Sequence, residues 1–575
     1  MSFQASMYEN FVAADSQARE RLIPHYIGMR TDFDIVIVGS GVGGGVLADD
    51  LAERLGDHLR ILVLEAGSFL YPTHAYNICR FQNFNVAKKF ACGTFWQQGD
   101  SAKDKLYIGE QPQLNFGGRS IFWSGLIPTP QDWELHFFPP RVRQDLVLDP
   151  LHPADKDLLH RAGEMMNQSV SLGRVAEQVV ARLQNSWLAA DFSIKQTPRA
   201  LHQPYLEADG APKDKFFTES TGVFNTAELL INQLGLAPSA GKGNGPGLYL
   251  LLNHFVEDVQ DQSNHLELVV RNTLTGQAKT FQAGKVVLAG GSIESPKLLR
   301  RSSIYGSLSP GVKNLVGRGL TDHPTTDSIH AFVDGIGGIN LDDHDHAKII
   351  FYSLGLQDQK NEIRYPFNVE MNINHEYWHL RRNDPADPVD PEDPTPRPGK
   401  ALIDIKFSFG NCLDDDNEVK APVPHLGYVP EIAFHNTKLV ERLAESRFPA
   451  LASWRKKPDE IWDVLNDITV QIFSLFRLDG QPAKPEGESK YGRGKGFGYG
   501  TVHHAAGSLR MPSRPRYDQD FAPVSVVDQD LQVIGTERLY VCDMSVMPIS
   551  TAANPVRALV ALSLRLSEHL AKQNA

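Results

Sequence analysis

Three glycines near the N-terminus have the spacing of a phosphate-binding turn. Gly39, Gly41 and Gly44 form a GxGxxG pattern between an apolar run at 33–38 and a segment of helical spacing at 43–55. In such a turn the first glycine allows the tight bend, the second lets a pyrophosphate approach the backbone, and the third lets the helix pack on the strand. Free N–H groups at the helix N-terminus favour a bound phosphate. The pattern therefore predicts a dinucleotide site.

An acidic residue supports this prediction. Residues 61–64 form a second short apolar run, and Glu65 follows it, 21 residues after Gly44. A carboxylate at this place accepts hydrogen bonds from an adenosine ribose. A glycine turn that binds nothing is the alternative for the motif taken alone, and the motif does not separate FAD from NAD.

The runs around the motif define one βαβ unit. Further strand-like runs lie at 248–252, 266–270 and 285–288, and the last leads into a Gly-Gly turn. Short β-branched runs that end in glycine are typical of buried parallel strands. A helical patch is predicted at 157–166. These elements predict an α/β fold.

Composition narrows the class of protein. The 575 residues exceed what one core usually organises, so two or more domains are expected. A formal net charge of −12 argues against nucleic acid or an anionic membrane as the main partner. Four cysteines (Cys79, Cys92, Cys412, Cys542) lie too far apart for a zinc site or a disulfide framework, so no metal is expected. The first 20 residues lack a signal-peptide pattern and no apolar run of about 18 residues occurs, so a cytoplasmic protein is expected.

Six further segments are spread along nearly the whole chain: NFGGRS at 115–120, VLAGGSIESPKLL at 287–299, GRGLTDHP at 317–324, HAAGS at 504–508, LYVCD at 539–543 and ANPV at 553–556. In this order they resemble the glucose-methanol-choline (GMC) oxidoreductase family, whose members characteristically use FAD. The resemblance implies an α/β (α+β overall) fold, in which a Rossmann-like FAD-binding domain is interleaved with a substrate domain that contains an antiparallel sheet.

The segment GGRSIFWS at 117–124 is most similar to the pyranose 2-oxidase branch (GGxSTHWT) and to the bacterial glycoside 3-oxidases. Where fungal pyranose oxidases carry the histidine that bonds covalently to the flavin, this chain has Phe122. Since phenylalanine has no nucleophilic nitrogen, we expect FAD to be held non-covalently. Ser124 stands where the branch has a threonine near flavin N5, so a hydroxyl is retained there.

The resemblance assigns a catalytic pair, with His504 as the base and Asn554 as its partner. Histidine suits this role because its unperturbed pKa lies near neutrality. The neighbouring His503 lacks the HxxGS spacing. Asn554 also precedes Pro555, which is a good helix start, so it could cap the last helix as well. The N-terminus of that helix would stabilise negative charge on reduced flavin.

The predicted FAD contacts combine the nucleotide motif with the family segments. They are Gly39, Gly41, Gly44, Glu65, Gly117, Gly118, Ser120, Ser124, Val256, Asp543, Asn554 and Val556. Relatives use the position of Asp543 near the pyrophosphate and ribitol. Val256 is assigned to the adenine site by position alone.

The expected reaction is oxidation of a secondary hydroxyl of a sugar or glycoside, at C2 or C3, to a ketone by hydride transfer to flavin N5. The electron acceptor is O2 or another acceptor, and a dehydrogenase that uses a quinone or a protein stays open. Three more classes also stay open: a lyase like the hydroxynitrile lyases, a non-catalytic FAD protein and an NAD dehydrogenase. The last would leave the C-terminal segments without explanation.

The resemblance also suggests how the domains divide. We expect an N-terminal arm at 1–30, an FAD-binding domain from 31–130, 250–330 and 500–575, and a substrate-binding domain from 131–249 and 331–499. The substrate would lie between the two domains, where ligand pockets often form. The oligomeric state stays open.

Overall fold

The fold is given by a computed structural model. The described residues are 31–56, 58–71, 73–74, 96–97, 112–147, 157–169, 173–195, 197–202, 222–235, 246–335, 347–354, 356–357, 364–365, 367–374, 397, 400–421, 430–434, 461–487, 489–492, 502–513 and 525–574. The predicted N-terminal arm at 1–30 lies outside the described residues.

Helices and strands alternate in the N-terminal part, and strands dominate the middle. The helices among the described residues are α1 (Val42–Leu55), α2 (Asp132–Leu135), α3 (Pro140–Leu146), α4 (Leu158–Met165), α5 (Arg174–Gln184), α6 (Thr226–Gly235), α7 (Gly291–Arg301), α8 (Pro310–Leu315), α9 (Ile461–Ser474) and α10 (Val556–Asn574). The strands are β1 (Asp32–Val38), β2 (Arg60–Leu64), β3 (Trp96–Gln97), β4 (Phe192–Ser193), β5 (Gly247–Leu251), β6 (His254–Asp261), β7 (Leu266–Asn272), β8 (Ala278–Leu288), β9 (Ile329–Val333), β10 (Ala347–Ser353), β11 (Leu356–Gln357), β12 (Arg364–Tyr365), β13 (Phe367–Ile373), β14 (Ala401–Phe409), β15 (Glu418–Val419), β16 (Glu431–Ala433), β17 (Arg477–Leu478), β18 (Gln481–Pro482) and β19 (Leu539–Val541).

The first large sheet is built around β1. Its order is β5-β2-β1-β8-β7-β6, and β19 pairs with the end of β8 beside β7. β1 is parallel to β2 and β8, and β19 is parallel to β8, whereas β6, β7 and the first half of β8 form an antiparallel meander. The carboxyl ends of β1, β8 and β19 therefore meet at one edge, where α/β folds bind their ligands.

The helix α1 connects β1 to β2 and completes the predicted βαβ unit. It packs against α10 and α6, so α10 covers α1. Glycines let α1 approach its neighbours closely. A Cβ on Gly45 would meet Thr226 of α6, and a Cβ on Gly43 would meet the backbone of Cys542 after β19. The sheet and these helices share one large apolar core.

The second large sheet is antiparallel, with the order β4-β10-β13-β14-β9. Successive residues of a strand project to opposite faces. One face of β13 is apolar and packs with α5 and α9 in a second core. The opposite face carries Asn368, Glu370 and Asn372, all buried. We call this side of the sheet, together with the aligned residues of β10 and β14, the polar face.

The predicted fold class is confirmed: a mostly parallel nucleotide-binding sheet and an antiparallel sheet come from interleaved stretches of the chain. The runs predicted at 33–38, 61–64, 248–252, 266–270 and 285–288 all fall within strands, to within one residue at their ends. The domain boundaries stay a prediction. Among the described residues, none of the helices is both long and apolar enough to span a membrane.

Candidate active site

The glycine turn joins β1 to α1. Gly39 has a φ of +112°, and a Cβ there would lie 2.4 Å from the carbonyl oxygen of Ala289, so only glycine fits. A Cβ on Gly44 would lie 2.1 Å from the carbonyl oxygen of Gly39. Gly41 differs, because a Cβ on it would meet no atom within 4 Å. Gly39 and Gly44 are thus required by packing, whereas Gly41 faces open space at the N-terminus of α1.

Glu65 braces this turn from the end of β2. Its carboxylate accepts hydrogen bonds from the backbone N–H of Ser40 at 3.0 Å, from the Ser40 hydroxyl at 2.7 Å and from the N–H of Gly67 at 2.8 Å. Burial raises the pKa of Glu65, and these three donors oppose that effect. A carboxylate offers about four acceptor positions, so one is left for a ribose hydroxyl. The ribose contact itself stays a prediction.

A second glycine loop lies against the first. Gly117 and Gly118 both have positive φ, and a Cβ on Gly118 would lie 3.0 Å from the Cα of Gly41. The N–H of Gly117 donates to the Ser40 hydroxyl at 2.9 Å. The Ser120 hydroxyl donates to the carbonyl of Gly117 and accepts from the N–H of Thr226. Ser120 therefore shapes the loop from inside.

Thr226, at the start of α6, ties the two loops together and was not predicted from the sequence. Its hydroxyl donates to the carbonyl of Ser40 at 2.8 Å, and its backbone N–H donates to the Ser120 hydroxyl at 3.0 Å. No motif marks this threonine, because its role depends on contacts 106 and 186 residues away in the sequence.

Asp543 closes the opposite side of the turn, directly after β19. Its carboxylate accepts hydrogen bonds from the N–H of Gly291 at 2.9 Å, from the Ser295 hydroxyl at 2.5 Å, and from the N–H and hydroxyl of Ser545. Burial raises the pKa of Asp543, and these donors oppose that effect. The side chain links the ends of β8 and β19, while its proximity to FAD stays a prediction.

The remaining predicted contacts are spread over several elements. Val256 is buried on β6, two residues after His254, whose N–H donates to the carbonyl of Glu65. Ser124 and Val556 are partly buried, and Val556 begins α10. Each of these contacts with FAD stays a prediction.

The region around the two loops fits FAD. The open space at Gly41 lies at the N-terminus of α1, where backbone N–H groups favour a phosphate. Among the described residues, the buried side-chain oxygen of Asn115 has no hydrogen-bond partner, although its amide nitrogen donates to the carbonyl of Gly118. Phe122 is buried and packs edge-to-face with Tyr71, at 6.3 Å between ring centroids.

The candidate base His504 is held at the end of a buried segment. The backbone N–H of His504 donates to the side chain of Asp322 at 3.2 Å. Thr321 pairs with Ala506 by two backbone hydrogen bonds. Its ring lies edge-to-face against His323, with centroids 4.7 Å apart. The preceding His503 has a φ of +62°, so the chain turns sharply just before His504.

The environment favours the neutral form of His504. Burial, His323, His503 and Arg119 hold the pKa of His504 well below its ordinary value, and Glu370 opposes them. Burial likewise lowers the pKa of His323 to about 3. Both rings are therefore neutral at neutral pH, and the ring of His504 can accept a proton.

The candidate partner Asn554 follows a tightly held loop, which we call the 550–554 loop. Ser550 exchanges two backbone hydrogen bonds with Asn411. The carbonyl of Ala552 accepts from the amide of Asn368 at 2.6 Å, and the N–H of Ala552 donates to Glu134 at 2.5 Å. Asn554 itself is partly buried.

The polar face of the second sheet carries a charged cluster. Glu370 receives the ammonium groups of Lys348 at 2.5 Å and of Lys406 at 3.1 Å. Burial alone would raise the pKa of Glu370, but the two ammonium groups hold it well below its ordinary value. This ionised carboxylate acts electrostatically on both His323 and His504. Both histidines therefore lie within electrostatic range of Glu370 on the polar face.

Several buried polar side-chain atoms on and beside the polar face have no hydrogen-bond partner among the described residues. Within the described part of the chain, no hydrogen bond reaches the following atoms: His323 Nε2, Tyr352 OH, Asn368 Oδ1, Asn372 Oδ1, His504 Nδ1 and Ser550 Oγ. Leaving such a group unpaired costs about 1–3 kcal/mol, so native proteins pair them with ligand or water. Their concentration marks a site for a polar ligand.

The structure brings the predicted glycines, Glu65 and Asp543 together around one turn. It places His504 and the 550–554 loop next to the polar face, through Glu370 and Asn368 respectively. The described contacts do not include one between the side chains of His504 and Asn554. His323 lies in a segment that resembles the family, but Glu370 and Asn368 were missed. Their only sequence signal is the alternation of polar and apolar residues at 367–373.

Comparisons with known proteins agree with this architecture. Two family models described as GMC oxidoreductase match residues 246–325 and 459–563. The chain is similar to C-glycoside 3-oxidase from Microbacterium trichothecenolyticum, with 22% identity over 577 residues that cover 94% of this chain and 96% of the relative. It is also similar to the crystal structure of pyridoxine 4-oxidase from Mesorbium loti, with a TM-score of 0.59, 14% identity, and coverage of 93% and 99% of the two chains.

The two family-model matches and the similarity to an oxidase along most of the chain support an FAD-dependent oxidoreductase that acts on CH–OH groups. The two matching segments contain most of β5 to β8 with α7, and α9 to the start of α10, so they include both His323 and His504. The chain is thus similar to the GMC oxidoreductase family in these two segments.

Proposed function

We propose that this enzyme oxidises a secondary hydroxyl of a sugar or glycoside, at C2 or C3, to a ketone. His504 is the base, Asn554 orients the reacting hydroxyl, and FAD is held without a covalent bond because Phe122 occupies the position of the linking histidine. The similarity to a C-glycoside 3-oxidase along most of the chain supports this substrate class. The likeness to pyridoxine 4-oxidase supports the fold alone.

The observation that carries the proposal is the set of polar atoms on and beside the polar face that have no partner in the described part of the chain. Asn368, Asn372 and Tyr352 lie on neighbouring strands of one sheet, with Tyr352 directly opposite Asn368. A pyranose ring carries several hydroxyl groups, each of which donates and accepts, so it can pair such atoms at once. An apolar alcohol would leave them unpaired and bind more weakly.

His504 is prepared for proton transfer before the substrate arrives. Its low pKa keeps a ring nitrogen unprotonated at neutral pH. Asp322 fixes the backbone of His504, and contact with His323 restricts its ring. FAD, when bound, would supply the hydride acceptor. The role of His504 would be to take the proton of the reacting hydroxyl.

His504 becomes positively charged in this step, and the ionised carboxylate of Glu370 on the polar face stabilises that charge. Proton uptake converts the neutral ring to an imidazolium, which burial and Arg119 disfavour. The ionised Glu370 favours that cation, because an opposite charge nearby stabilises the protonated form. Glu370 therefore offsets part of the free energy needed to protonate a buried histidine.

The proposal is tested by mixing the purified yellow protein anaerobically with candidate alcohols and following flavin absorbance. The panel holds free glucose, aryl O-glucosides, aryl C-glucosides, pyridoxine and benzyl alcohol. We expect bleaching by one sugar class and not by benzyl alcohol. Substrates deuterated at C2 or C3 then identify the oxidised carbon by the isotope effect on bleaching.

Three further observations separate the competing functions. Reoxidation by air, compared with reoxidation by a quinone, distinguishes an oxidase from a dehydrogenase. Cleavage of mandelonitrile while the flavin stays oxidised would indicate a lyase. Flavin that remains in solution after acid precipitation of the protein establishes non-covalent binding. Bleaching by pyridoxine or benzyl alcohol, but by none of the sugars, would overturn the proposed substrate class.

A further inference from the structure

Glu134 is a buried acid that belongs to none of the sequence motifs. It lies on the short helix α2 and is completely buried. One carboxylate oxygen accepts from the N–H of Gln131 at 2.8 Å, which is the local hydrogen bond of a capping box. The other accepts from the N–H of Ala552 at 2.5 Å, across 418 residues of sequence. The N–H of Ala553 also bonds to this carboxylate.

The 550–554 loop is thus held from two sides. The carboxylate of Glu134 accepts hydrogen bonds from the N–H groups of Ala552 and Ala553. From the polar face, the amide of Asn368 donates to the carbonyl of Ala552. Ala552 and Ala553 are buried in a small apolar cluster with Tyr352. The next residue along the chain is Asn554.

We propose that Glu134 is the positioning residue for Asn554, through its hydrogen bonds to the two preceding backbone N–H groups. This inference rests on the proposed function, in which Asn554 orients the substrate hydroxyl. The side chain of Asn554 is short, so the backbone of the 550–554 loop sets where its amide lies. A displacement of about 1 Å of such a group can lower a rate about 100-fold.

A simple packing role does not explain a carboxyl here. Burial raises the pKa of Glu134 to about 7, although three backbone N–H groups oppose the shift. An apolar residue would avoid this desolvation, whereas a carboxylate can accept from all three N–H groups. Glutamine has the same shape but replaces one acceptor oxygen with a donor, which would face an N–H group.

The first test measures the 550–554 loop directly, without substrate. Hydrogen exchange followed by mass spectrometry compares the wild-type holoenzyme with Glu134→Gln. We expect exchange in the peptide that contains Ala552 and Ala553 to rise about ten-fold or more, and peptides from the seven-stranded sheet to stay unchanged. Glu164→Gln is the matched control, because that glutamate is 61% exposed and lies on α4. Unchanged exchange in Glu134→Gln would overturn the inference.

The second test is a double-mutant cycle with the sugar that bleaches the flavin fastest. We expect Glu134→Gln to lower kcat about 10- to 100-fold in the wild-type background and less than about three-fold in the Asn554→Ala background, because the two residues act as one unit. Equal factors in both backgrounds, with Asn554→Ala itself impaired, would overturn the inference.

The pH profile adds a readout that a purely structural role would not change. Since the carboxylate form of Glu134 holds the loop, we expect kcat to fall as pH decreases through about 7, and this limb to be absent in Glu134→Gln. The titratable side chain that faces Glu134 from β10 is Tyr352, whose pKa burial raises well above its ordinary value, so it stays neutral throughout. A limb that persists in the variant belongs to another group and contradicts the inference.

Failure of the proposed function gives a different pattern. Asn554→Ala would then keep the wild-type rate, while the exchange test would still show whether Glu134 holds the loop. If Glu134→Gln does not fold, the cycle and the exchange measurement use Glu134→Asp. That variant keeps the charge but shortens the side chain, so the same changes are expected with smaller factors.

Discussion

The buried polar groups around the two large sheets differ in whether they find hydrogen-bond partners within the protein. Around the seven-stranded sheet, Glu65 and Asp543 use their acceptors on neighbouring N–H and hydroxyl groups of the protein, and the open surface at Gly41 is backbone. Around the antiparallel sheet, Asn368 and Asn372 keep side-chain oxygens without a partner among the described residues. Apart from the side-chain oxygen of Asn115, the groups named in the first region are paired within the protein, whereas those of the second region need a ligand or water.

This contrast separates a binding site made of backbone from one made of side chains. A pyrophosphate presents the same groups in every dinucleotide, so a glycine turn and a helix N-terminus recognise it. A substrate differs between enzymes of one fold, so its recognition depends on individual side chains. If this distinction holds, substitutions can disturb either region without disturbing the other.

The largest effect is expected at the base. His504→Asn removes the proton acceptor, and general-base catalysis typically contributes about 10²- to 10⁴-fold. We expect the anaerobic rate of flavin bleaching to fall about 10³-fold while flavin content is retained. The measurement is stopped-flow absorbance with the sugar that bleaches the wild-type flavin fastest.

His503→Asn is the matched control for this change. Asparagine tolerates the positive φ of residue 503 better than most residues, so the turn should be preserved. We expect less than a ten-fold loss. Similar losses in both variants would mean that the histidine pair matters only for structure.

The second prediction separates ligand contact from packing within the glycine turn. Gly41→Val places a side chain in the open space at the N-terminus of α1, where Gly41 has an ordinary extended backbone. We expect the protein to fold but FAD affinity to fall about 100-fold, equivalent to about 2.7 kcal/mol. The measurement is the rise in melting temperature on adding FAD, together with the flavin-to-protein ratio.

Gly43→Ala is the comparison for this variant. A Cβ at Gly43 would lie 2.0 Å from the carbonyl oxygen of Cys542, so α1 must move away from the end of β19. We expect a lower melting temperature with or without FAD. If Gly41→Val instead destabilises the protein without FAD, the open space has a structural role and the contrast between the two glycines fails.

The sequence revealed the first region because its chemistry is local. Gly39, Gly41 and Gly44 lie within one turn, and Glu65 and Asp543 follow directly after apolar runs. Parallel strands bring their carboxyl ends to one edge, so residues after such runs converge without further information. The family resemblance added His504 and Asn554, which local patterns do not distinguish from other polar residues.

The second region could not be predicted because it depends on which strands pair. The alternation at 367–373 indicates a strand with one polar face, but not that Lys406 lies directly opposite Glu370. The bond from Ala552 to Glu134 joins residues 418 positions apart. Such pairings follow from the register of the whole sheet and the docking of distant loops, which no short window of sequence contains.

The third prediction concerns the charged cluster of the polar face. Glu370→Gln leaves the ammonium groups of Lys348 and Lys406 without their shared carboxylate, and breaking a buried pair in this way costs about 3 kcal/mol. We expect a clearly lower melting temperature at pH 7. Because the pKa of Glu370 is held below its ordinary value of 4.5, the stability it provides is lost as pH falls below that value, and the variant should approach the wild type there.

Glu486→Gln serves as the control at the surface. Its partner Arg397 is 47% exposed and Glu486 is 33% exposed, so solvent screens their ion pair. We expect a change of less than about 0.5 kcal/mol. An equal effect of the two substitutions would show that the cluster around Glu370 is screened in the same way and does not act as a buried charge.

The last prediction concerns α1, which carries a buried acid that is protonated at neutral pH. Asp49 is 5% exposed, and burial, Glu53 and Asp50 raise the pKa of Asp49 to about 8 from an ordinary value of 3.8. The folded state therefore binds one more proton than the unfolded state between these values, and stability falls as pH rises through this window. Asp49→Asn mimics the protonated form, so we expect its stability relative to the wild type to increase as pH rises from 5 to 8. Asp50→Asn should instead lower the melting temperature at both pH values, because it removes the 2.6 Å ion pair with Arg54. If the stability of Asp49→Asn and of the wild type changes with pH in the same way, the Asp49 carboxyl is ionised in the folded protein. The nucleotide-binding region would then contain a buried charge without a partner of opposite sign, unlike Glu370 on the polar face.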